Sequence, residues 1–303
     1  MRIPPYLSEW LNLLARWFHV FAAIIWVGST YYFTWLDGRF QEEEREAKEA
    51  GTDPEVWMVH SGGFYVVGKR KTPSLKRLHW FRWEAASTWL SGMVLLTLVY
   101  YHGGAMVDPD VRDIGAWTAG AFGVGFILAA WVVYDLLLRS PLARSETAFA
   151  AVAYALIVGG AYLATHVLSG RAAFIHVGAG LGTIMFLNVW QGILPAQRRM
   201  IAAVKEGRAP DPSEGARAKL RSKHNTFIVF PVVFTMISNH YPVSTYGHEH
   251  NWVVLSALVL VGWVAAKLAD QQCNSPPIEV TNVRFQAGFT LPLQATLSTA
   301  VFW

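Results

Sequence analysis

The chain has 303 residues, of which 53% are hydrophobic and 15% charged, with 14 Trp and a net charge of +4. This composition excludes an ordinary soluble domain and is typical of a polytopic membrane protein. The single cysteine, Cys273, excludes an internal disulfide, a Cys-rich zinc site, a Cys-ligated iron–sulfur cluster and a covalent C-x-x-C-H haem.

Seven apolar segments are long enough to be membrane spans, each of which needs roughly 20 mostly apolar residues. We predict helices because lipid cannot satisfy open backbone groups. The predicted spans are 11–36, 82–102, 115–138, 147–169, 172–195, 225–240 and 251–270. The sixth is short and contains Pro231, which predicts a kink or an earlier start.

The distribution of Lys and Arg sets the predicted orientation. The connections 37–81 and 196–224 carry eight basic residues each, whereas the opposite connections carry only Arg112 and Arg171. We therefore predict an all-α, seven-helix transmembrane bundle with its N-terminus outside and both long basic connections in the cytoplasm. The predicted location is a bacterial inner membrane, as a multi-pass protein. Basic residues beside membrane spans do not indicate nucleic acid, so no nucleic-acid partner is expected.

The whole chain, 1–303, reads as one transmembrane domain, since no internal repeat is evident. The charged run at 41–50 predicts a solvated helix on the cytoplasmic side. Within the apolar tail at 271–303, the run 289–303 is too short for a free span, and Pro292 interrupts it. Three alternatives stay open for this tail, which can lie at the interface, re-enter the bilayer or pack on a partner.

Five histidines lie within the predicted spans or at their ends, and the predicted topology places all five on the outer side. They are His19, His102, His166, His176 and His240. An ionisable residue in the membrane is a functional hypothesis by default. Imidazoles at similar depth on different helices are typical of a haem held between helices. We predict haem b, with His19, His102, His166 and His176 as iron ligands and His240 in reserve.

Small residues near these histidines suit a flat ligand. Gly180 lies one turn after His176 and shares its helix face. It admits close approach of either a porphyrin or a neighbouring helix. Arg16 lies one turn before His19, and two interpretations carry equal weight: it pairs with a haem propionate, or it reaches the outer surface.

The first basic connection holds two motifs, HSGGFY at 60–65 and LHWFRWEA at 78–85. Together they predict a cytoplasmic pocket for a planar anion, with a tight turn, aromatic faces and cations. The predicted lining is His60, Gly62, Gly63, Tyr65, His79 and Arg82. His60 and His79 are the predicted general bases, because imidazole titrates near neutral pH. An aromatic belt above a positive-inside loop is the competing interpretation.

Five stretches resemble the N-terminal membrane domain of the bacterial membrane-bound urate oxidase (urate hydroxylase) family, in the expected order. They are RWFHVFAAIIWVG (16–28), VWMVHSGGFYVVGK (56–69), LHWFRWEAASTWLSG (78–92), NVWQGILPAQ (188–197) and SNHYP (238–242). The resemblance implies oxidation of urate coupled to electron transfer. The family typically carries a C-terminal cytochrome c domain, which this sequence lacks. It therefore implies a c-type cytochrome on a separate chain.

Two functions are carried forward. The first is a membrane-bound haem b cytochrome and oxidoreductase that transfers electrons from urate, or a similar small reductant, to an external c-type cytochrome. The second is a non-catalytic or electron-relay subunit of a larger respiratory or photosynthetic membrane complex. A transporter is disfavoured because inverted repeats and paired broken helices are not evident. The predicted partners are the cytochrome, other membrane subunits and the lipid bilayer.

Overall fold

A computed structural model describes residues 4–69 and 78–273. The predicted apolar tail lies outside the described residues from position 274 onward, so its three alternatives stay open. The described chain is a helical bundle with one small β-hairpin. We call the end of the bundle that carries this hairpin the hairpin end, and the other the opposite end.

The elements follow one another with short connections. The first half contains α1 (Pro5–Ala50), β1 (Glu55–His60), β2 (Gly63–Gly68), α2 (Trp83–Leu96), a π-helical turn (Thr97–Tyr101) and α3 (Ala116–Arg139). A 3-10 turn (Pro141–Arg144) leads to α4 (Glu146–Thr165) and α5 (Gly170–Leu187), and a π-helical segment (Asn188–Ile193) leads to α6 (Leu194–Lys205). The chain then forms α7 (Pro212–Ile237), a 3-10 turn (Ser238–His240) and α8 (Asn251–Cys273).

Helical residues cover all seven predicted spans, and five described helices are long and apolar enough to cross a membrane. These five are Pro5–Glu49, Ala116–Arg139, Glu146–Thr165, Gly170–Lys205 and Asn251–Gln271. Helices α2 and α7 are not among the five, so the number of spans and the orientation stay predictions. Helix α7 begins at Pro212, well before the predicted sixth span, and it contains Pro231.

Helix α1 is much longer than the predicted first span. Its 46 residues extend about 69 Å at about 1.5 Å per residue, whereas the hydrocarbon core of a bilayer is roughly 30 Å thick. The solvated helix predicted at 41–50 is therefore the end of α1. An apolar stripe along α1 is more than half exposed at Leu13, Trp17, Phe21 and Ile24. Such a stripe is costly in water and suits a helix that faces lipid.

The predicted connection 37–81 is not a simple loop, because a hairpin folds back on α1. Ser61 and Gly62 both have positive φ, 50° and 77°, as a two-residue type I′ turn requires. The turn predicted from the paired glycines is therefore present. Val56 packs against Leu36 and Phe40 of α1. The chain is thus mostly helical rather than all-α.

Helix α5 forms the centre of the bundle, packed among α2, α3, α4 and α7. Phe174 and His176 are fully buried there. Helices α5 and α7 approach closely at Gly178, where an added Cβ would lie 2.0 Å from Oγ1 of Thr235. Gly180 faces α3, with an added Cβ 3.2 Å from Cβ of Ala130. The sequence left two partners open for this glycine-rich face, a porphyrin or a neighbouring helix. In the structure, neighbouring helices pack against it.

A charged clamp joins α6 to the first turn of α7. Glu214 accepts hydrogen bonds from Nε and Nη2 of Arg199 at 2.9 and 2.7 Å, and Nη2 of Arg217 lies 2.6 Å from its Oε1. The hydrogen bond from Arg199 holds the pKa of Glu214 below its usual range. A carboxyl with a lowered folded-state pKa stabilises the fold above its unfolded pKa and loses that effect as pH falls through the folded value.

We expect Glu214→Gln to loosen α6 from α7, because a neutral amide replaces the carboxylate of the clamp. Hydrogen–deuterium exchange should show lower protection across 194–205 at pH 7. Protection in the wild type should fall as the pH drops below the ordinary Glu range, while the variant should change less. The matched control is Glu206→Gln, an exposed residue paired within its own turn with Arg208. Equal protection in both variants would show that the clamp does not hold α6.

Candidate functional site

The buried histidine of α5 has both ring nitrogens engaged. Nδ1 of His176 lies 2.7 Å from the carbonyl oxygen of Ala172, and Nε2 lies 3.0 Å from the Tyr101 hydroxyl. A carbonyl only accepts, so Nδ1 carries the proton and Nε2 accepts from Tyr101. Ligation of an iron by His176 would require the Tyr101 hydroxyl to leave.

His19 of α1 is also buried, with 8% of its surface exposed. Its Nδ1 lies 3.0 Å from both the Thr88 carbonyl oxygen and Oγ of Ser91. The carbonyl again assigns the proton to Nδ1, which leaves the lone pair on Nε2. This is the tautomer that ligates a metal through Nε2, with the other nitrogen held by a backbone carbonyl.

His19 and His176 do not lie at one level of the bundle. His19 contacts Ser91, and His176 contacts Tyr101, ten residues later on the same helical segment. Ten residues correspond to about 15 Å at the rise of an α-helix. An axial pair must place two imidazoles on one iron, so this arrangement does not pair these two histidines.

The remaining predicted iron ligands lie on the surface. His102, His166 and His240 are exposed, and so is Arg16. Nδ1 of His166 contacts the Tyr162 carbonyl oxygen at 2.7 Å. Within residues 4–69 and 78–273, no group of three or more His, Cys, Asp or Glu is arranged to hold a metal ion. Haem b therefore stays a prediction.

The hairpin that carries the first motif and the second motif itself contact the same turn of α1. Met58 of the hairpin lies 3.4 Å from the Tyr32 hydroxyl, and the rings of Phe33 and Phe81 are 4.9 Å apart. The structure therefore places the hairpin and the second motif on neighbouring residues of α1.

Several predicted lining residues of that pocket are exposed to solvent. His60, Gly62, Tyr65 and His79 are exposed, whereas Gly63 and Arg82 are half-buried. His60 contacts Oγ of Ser61 at 2.8 Å. The ring of His79 lies 4.5 Å from that of Phe81, and the Arg82 guanidinium lies 5.4 Å from the ring of Trp83. These groups are accessible to a water-soluble anion without an enclosed cavity around them.

A set of buried and half-buried polar side chains lies between α3, the π-helical segment and α7 at the hairpin end. We call it the polar network, and its members are Tyr134, Asp135, Asn188, Arg221, His224 and Asn225. Buried polar groups persist in proteins when they bond to one another. This network is the largest group of mutually hydrogen-bonded polar side chains that we find inside the described bundle.

The charges of the polar network are balanced by direct pairing. Arg221 donates from Nη2 to Oδ1 of Asp135 at 2.9 Å, and both side chains are only 16% exposed. Arg139 pairs with the other oxygen of Asp135 at 2.6 Å. The ring of Trp131 lies 5.8 Å from the Arg221 guanidinium. An unpaired charge would be costly at this depth, and this pairing removes that cost.

Arg221 determines which atoms of the network donate hydrogen bonds and which accept them. Arg221 can only donate, so the Asn188 atom 2.7 Å from its Nη1 is the amide oxygen. The Asn188 amide nitrogen then donates to the Tyr134 hydroxyl at 3.0 Å and to Oδ1 of Asn225 at 2.9 Å. The Asn225 amide nitrogen donates to the Met185 carbonyl at 3.0 Å.

The π-helical segment creates the space that Arg221 occupies. A Cβ added to Gly192 would lie 2.2 Å from Cδ of Arg221, a distance that side chains do not tolerate. Single π-helical turns inside α-helices occur frequently at functional sites. Here the segment Asn188–Ile193 places Asn188 in the network and clears a path for the arginine.

A cavity of about 420 Å³ adjoins the network between α3, α4, α5 and α7. Most of its lining is apolar, and Tyr134, Glu146, Lys223 and His224 also line it. The rings of His224 and Phe149 are stacked, with centroids 4.8 Å apart. The cavity therefore combines a long apolar wall with a small number of hydrogen-bonding groups, as small-molecule sites do.

None of the six members of the polar network is among the site residues predicted from the sequence. The spacing of Arg221, His224 and Asn225 within one turn of α7 was the available signal, because such residues share a helix face.

Comparison with known families assigns the chain. The family model described as urate oxidase N-terminal matches residues 5–284. The chain belongs to this family. Neither a curated protein nor a solved structure matches it. The matched residues of this urate oxidase N-terminal chain include the hairpin, the buried histidines and the polar network.

We predict that Gly192→Ala disrupts the network, because its new methyl group overlaps the Arg221 side chain. Overpacking of this kind costs roughly 1–3 kcal/mol, and thermal unfolding in detergent should show the loss. Gly182→Ala is the matched control, since nothing lies within 4 Å of an added Cβ there. Equal stability of the two variants would contradict the close packing of Arg221 against the π-helical segment that follows α5.

Proposed function

We propose that this protein is a membrane-bound oxidoreductase that oxidises urate, or a closely similar planar anion, and passes the electrons to a c-type cytochrome on a separate chain. The observation that carries the proposal is the family match over residues 5–284. Oxidation of urate with water as the oxygen donor releases two protons and two electrons. Two one-electron cytochromes accept those electrons, so the reaction balances.

The substrate site in this proposal is the exposed surface formed by the hairpin and residues 78–83. His60 and His79 supply exposed imidazoles that can accept a proton near neutral pH. Arg82 supplies a positive charge, and Tyr65 supplies an aromatic face for a planar ligand. The hairpin, through Met58, and the second motif, through Phe81, contact neighbouring residues of α1, which supports a common site.

The membrane arrangement belongs to the same proposal. It comprises seven spans, an external N-terminus and an inner-membrane location. Five described helices long and apolar enough to cross a membrane support a membrane location, and the basic residues at the hairpin end support the orientation. In this orientation urate meets the hairpin on the cytoplasmic side. The cytochrome is met on the other side, so electrons must cross the bundle.

Haem b is a separate part of the proposal, and no step of urate oxidation is assigned to it. His19 favours it most among the described histidines, because it is buried and presents the Nε2 lone pair. His176 does not supply the second ligand at that level. A redox difference spectrum of the purified protein, with His19→Ala for comparison, tests this part alone.

A relay or accessory subunit of a larger membrane complex is the second candidate function. The outer face of the hairpin favours it, because Trp57, Val59, Phe64 and Val66 are all about half exposed or more. An exposed apolar patch of this kind is typical of a surface that binds another protein. Absence of urate turnover in an intact preparation would favour this second function.

The catalytic proposal predicts urate-dependent reduction of oxidised horse-heart cytochrome c by the purified protein. The double variant His60→Ala, His79→Ala should lose at least about tenfold in rate, because general base catalysis contributes typically 10²–10⁴-fold. His248→Ala is the control, since His248 is exposed at the opposite end. A double variant with the wild-type rate would remove these histidines from the site.

The orientation predicts that Arg208, which is exposed in the α6–α7 connection, faces the cytoplasm. In a Cys273→Ser background, Arg208→Cys in intact cells should resist a membrane-impermeant maleimide and react after lysis. Asp110→Cys, in the connection before α3, should react in intact cells. The reverse labelling pattern would invert the orientation.

A further inference from the structure

We propose that the cavity between α3, α4, α5 and α7 binds an isoprenoid quinone, with His224 donating a hydrogen bond to a ring carbonyl. The cavity volume of about 420 Å³ lies within the range of roughly 300–1,000 Å³ found for small-molecule sites. The inference uses the membrane association of the helices and does not depend on urate as the substrate.

The cavity opens to the outer surface of the bundle. Val133 of α3 and Leu156 and Leu163 of α4 line it, and each is 40–50% exposed. A ligand can therefore enter sideways between α3 and α4. In a membrane protein this entrance faces the hydrocarbon region, which favours a ligand dissolved in the bilayer over a water-soluble one.

The polar network determines which nitrogen of His224 carries a proton. The Tyr134 hydroxyl accepts a hydrogen bond from Asn188, whose orientation Arg221 fixes. Its own proton is therefore free to go to Nδ1 of His224, 2.9 Å away. A neutral imidazole carries one proton, so His224 has it on Nε2. The network thereby turns His224 into a fixed hydrogen-bond donor beside the cavity.

A fixed neutral donor selects a neutral acceptor such as a quinone carbonyl. Lys223 and Glu146, the charged residues that line the cavity, are paired at 2.8 Å, so the lining carries no net charge to favour an anionic lipid headgroup. Phe149 and His224 present stacked rings against which a flat ring can lie. The apolar remainder of the cavity suits the start of an isoprenoid chain.

Binding is tested with delipidated protein in detergent and decylubiquinone as the probe. Trp263 lines the cavity, so quenching of tryptophan fluorescence reports occupancy. We expect saturable binding in the wild type and a Kd about 3–10-fold higher for His224→Phe. That change keeps an aromatic ring but removes a donor worth about 0.5–1.5 kcal/mol. Infrared spectra should show a lowered carbonyl frequency for the bound quinone that is lost in His224→Phe.

Two further variants separate a specific site from general partition into detergent. Ala153 lines the cavity, and Ala153→Phe should abolish saturable binding. Ala151→Phe adds the same ring on an exposed position of α4 and should leave binding unchanged. Equal binding by both alanine variants would overturn the site. Displacement of the probe by phosphatidylethanolamine at equal concentration, with no infrared shift, would show a lipid acyl chain there instead.

The assay contains no urate and no cytochrome, so its outcome is independent of urate turnover. If the His224→Phe protein fails to fold, the Ala153→Phe and Ala151→Phe pair still decides whether the cavity is the site. Saturable binding that survives Ala153→Phe would reject the proposal by itself.

Discussion

The guanidinium of Arg221 sets the arrangement of the hairpin end of the bundle. A charge with only 16% of its side chain exposed is tolerated because Asp135 neutralises it and the Asn188 amide oxygen accepts a hydrogen bond from it. This requirement brings α3, α7 and the π-helical segment to one point, and Gly192 leaves room for it. Removing one partner would leave a buried charge uncompensated, which is more damaging than losing one ordinary contact.

The buried and half-buried histidines of the bundle differ in whether Nε2 donates or accepts a hydrogen bond. His19 and His176 lie at different levels in the bundle, each with a backbone carbonyl at Nδ1, whereas Nδ1 of His224 accepts a hydrogen bond from the Tyr134 hydroxyl. The first two therefore present an acceptor at Nε2 and the third presents a donor. Identical side chains thus differ in chemical character because their Nδ1 partners differ.

Much of the fold could be predicted from the sequence, because hydropathy over long segments directly reports helices in lipid. The solvated helix predicted at 41–50 is present as the end of α1, since a change from apolar to charged residues does not itself break a helix. The hairpin was missed because VWMVH is too short for its period to be distinctive. The polar network could not be predicted, since Asn188 and Asn225 acquire partners only through tertiary packing. The sequence also does not determine how deep a residue of a tilted helix lies in the bundle. The prediction that His19 and His176 lie at similar depth is therefore not matched by the structure.

Helix α1 carries His19 near one end and supports the hairpin through Tyr32, Leu36 and Phe40 further along. No proline or break separates these positions within its 46 residues, and an α-helix resists twisting. A rotation of α1 about its axis at His19 would therefore also rotate the α1 residues that contact the hairpin, through a similar angle. The level of His19 and the hairpin end would then be mechanically coupled, so that a rotation at His19 alters the position of His60 without a diffusing ligand.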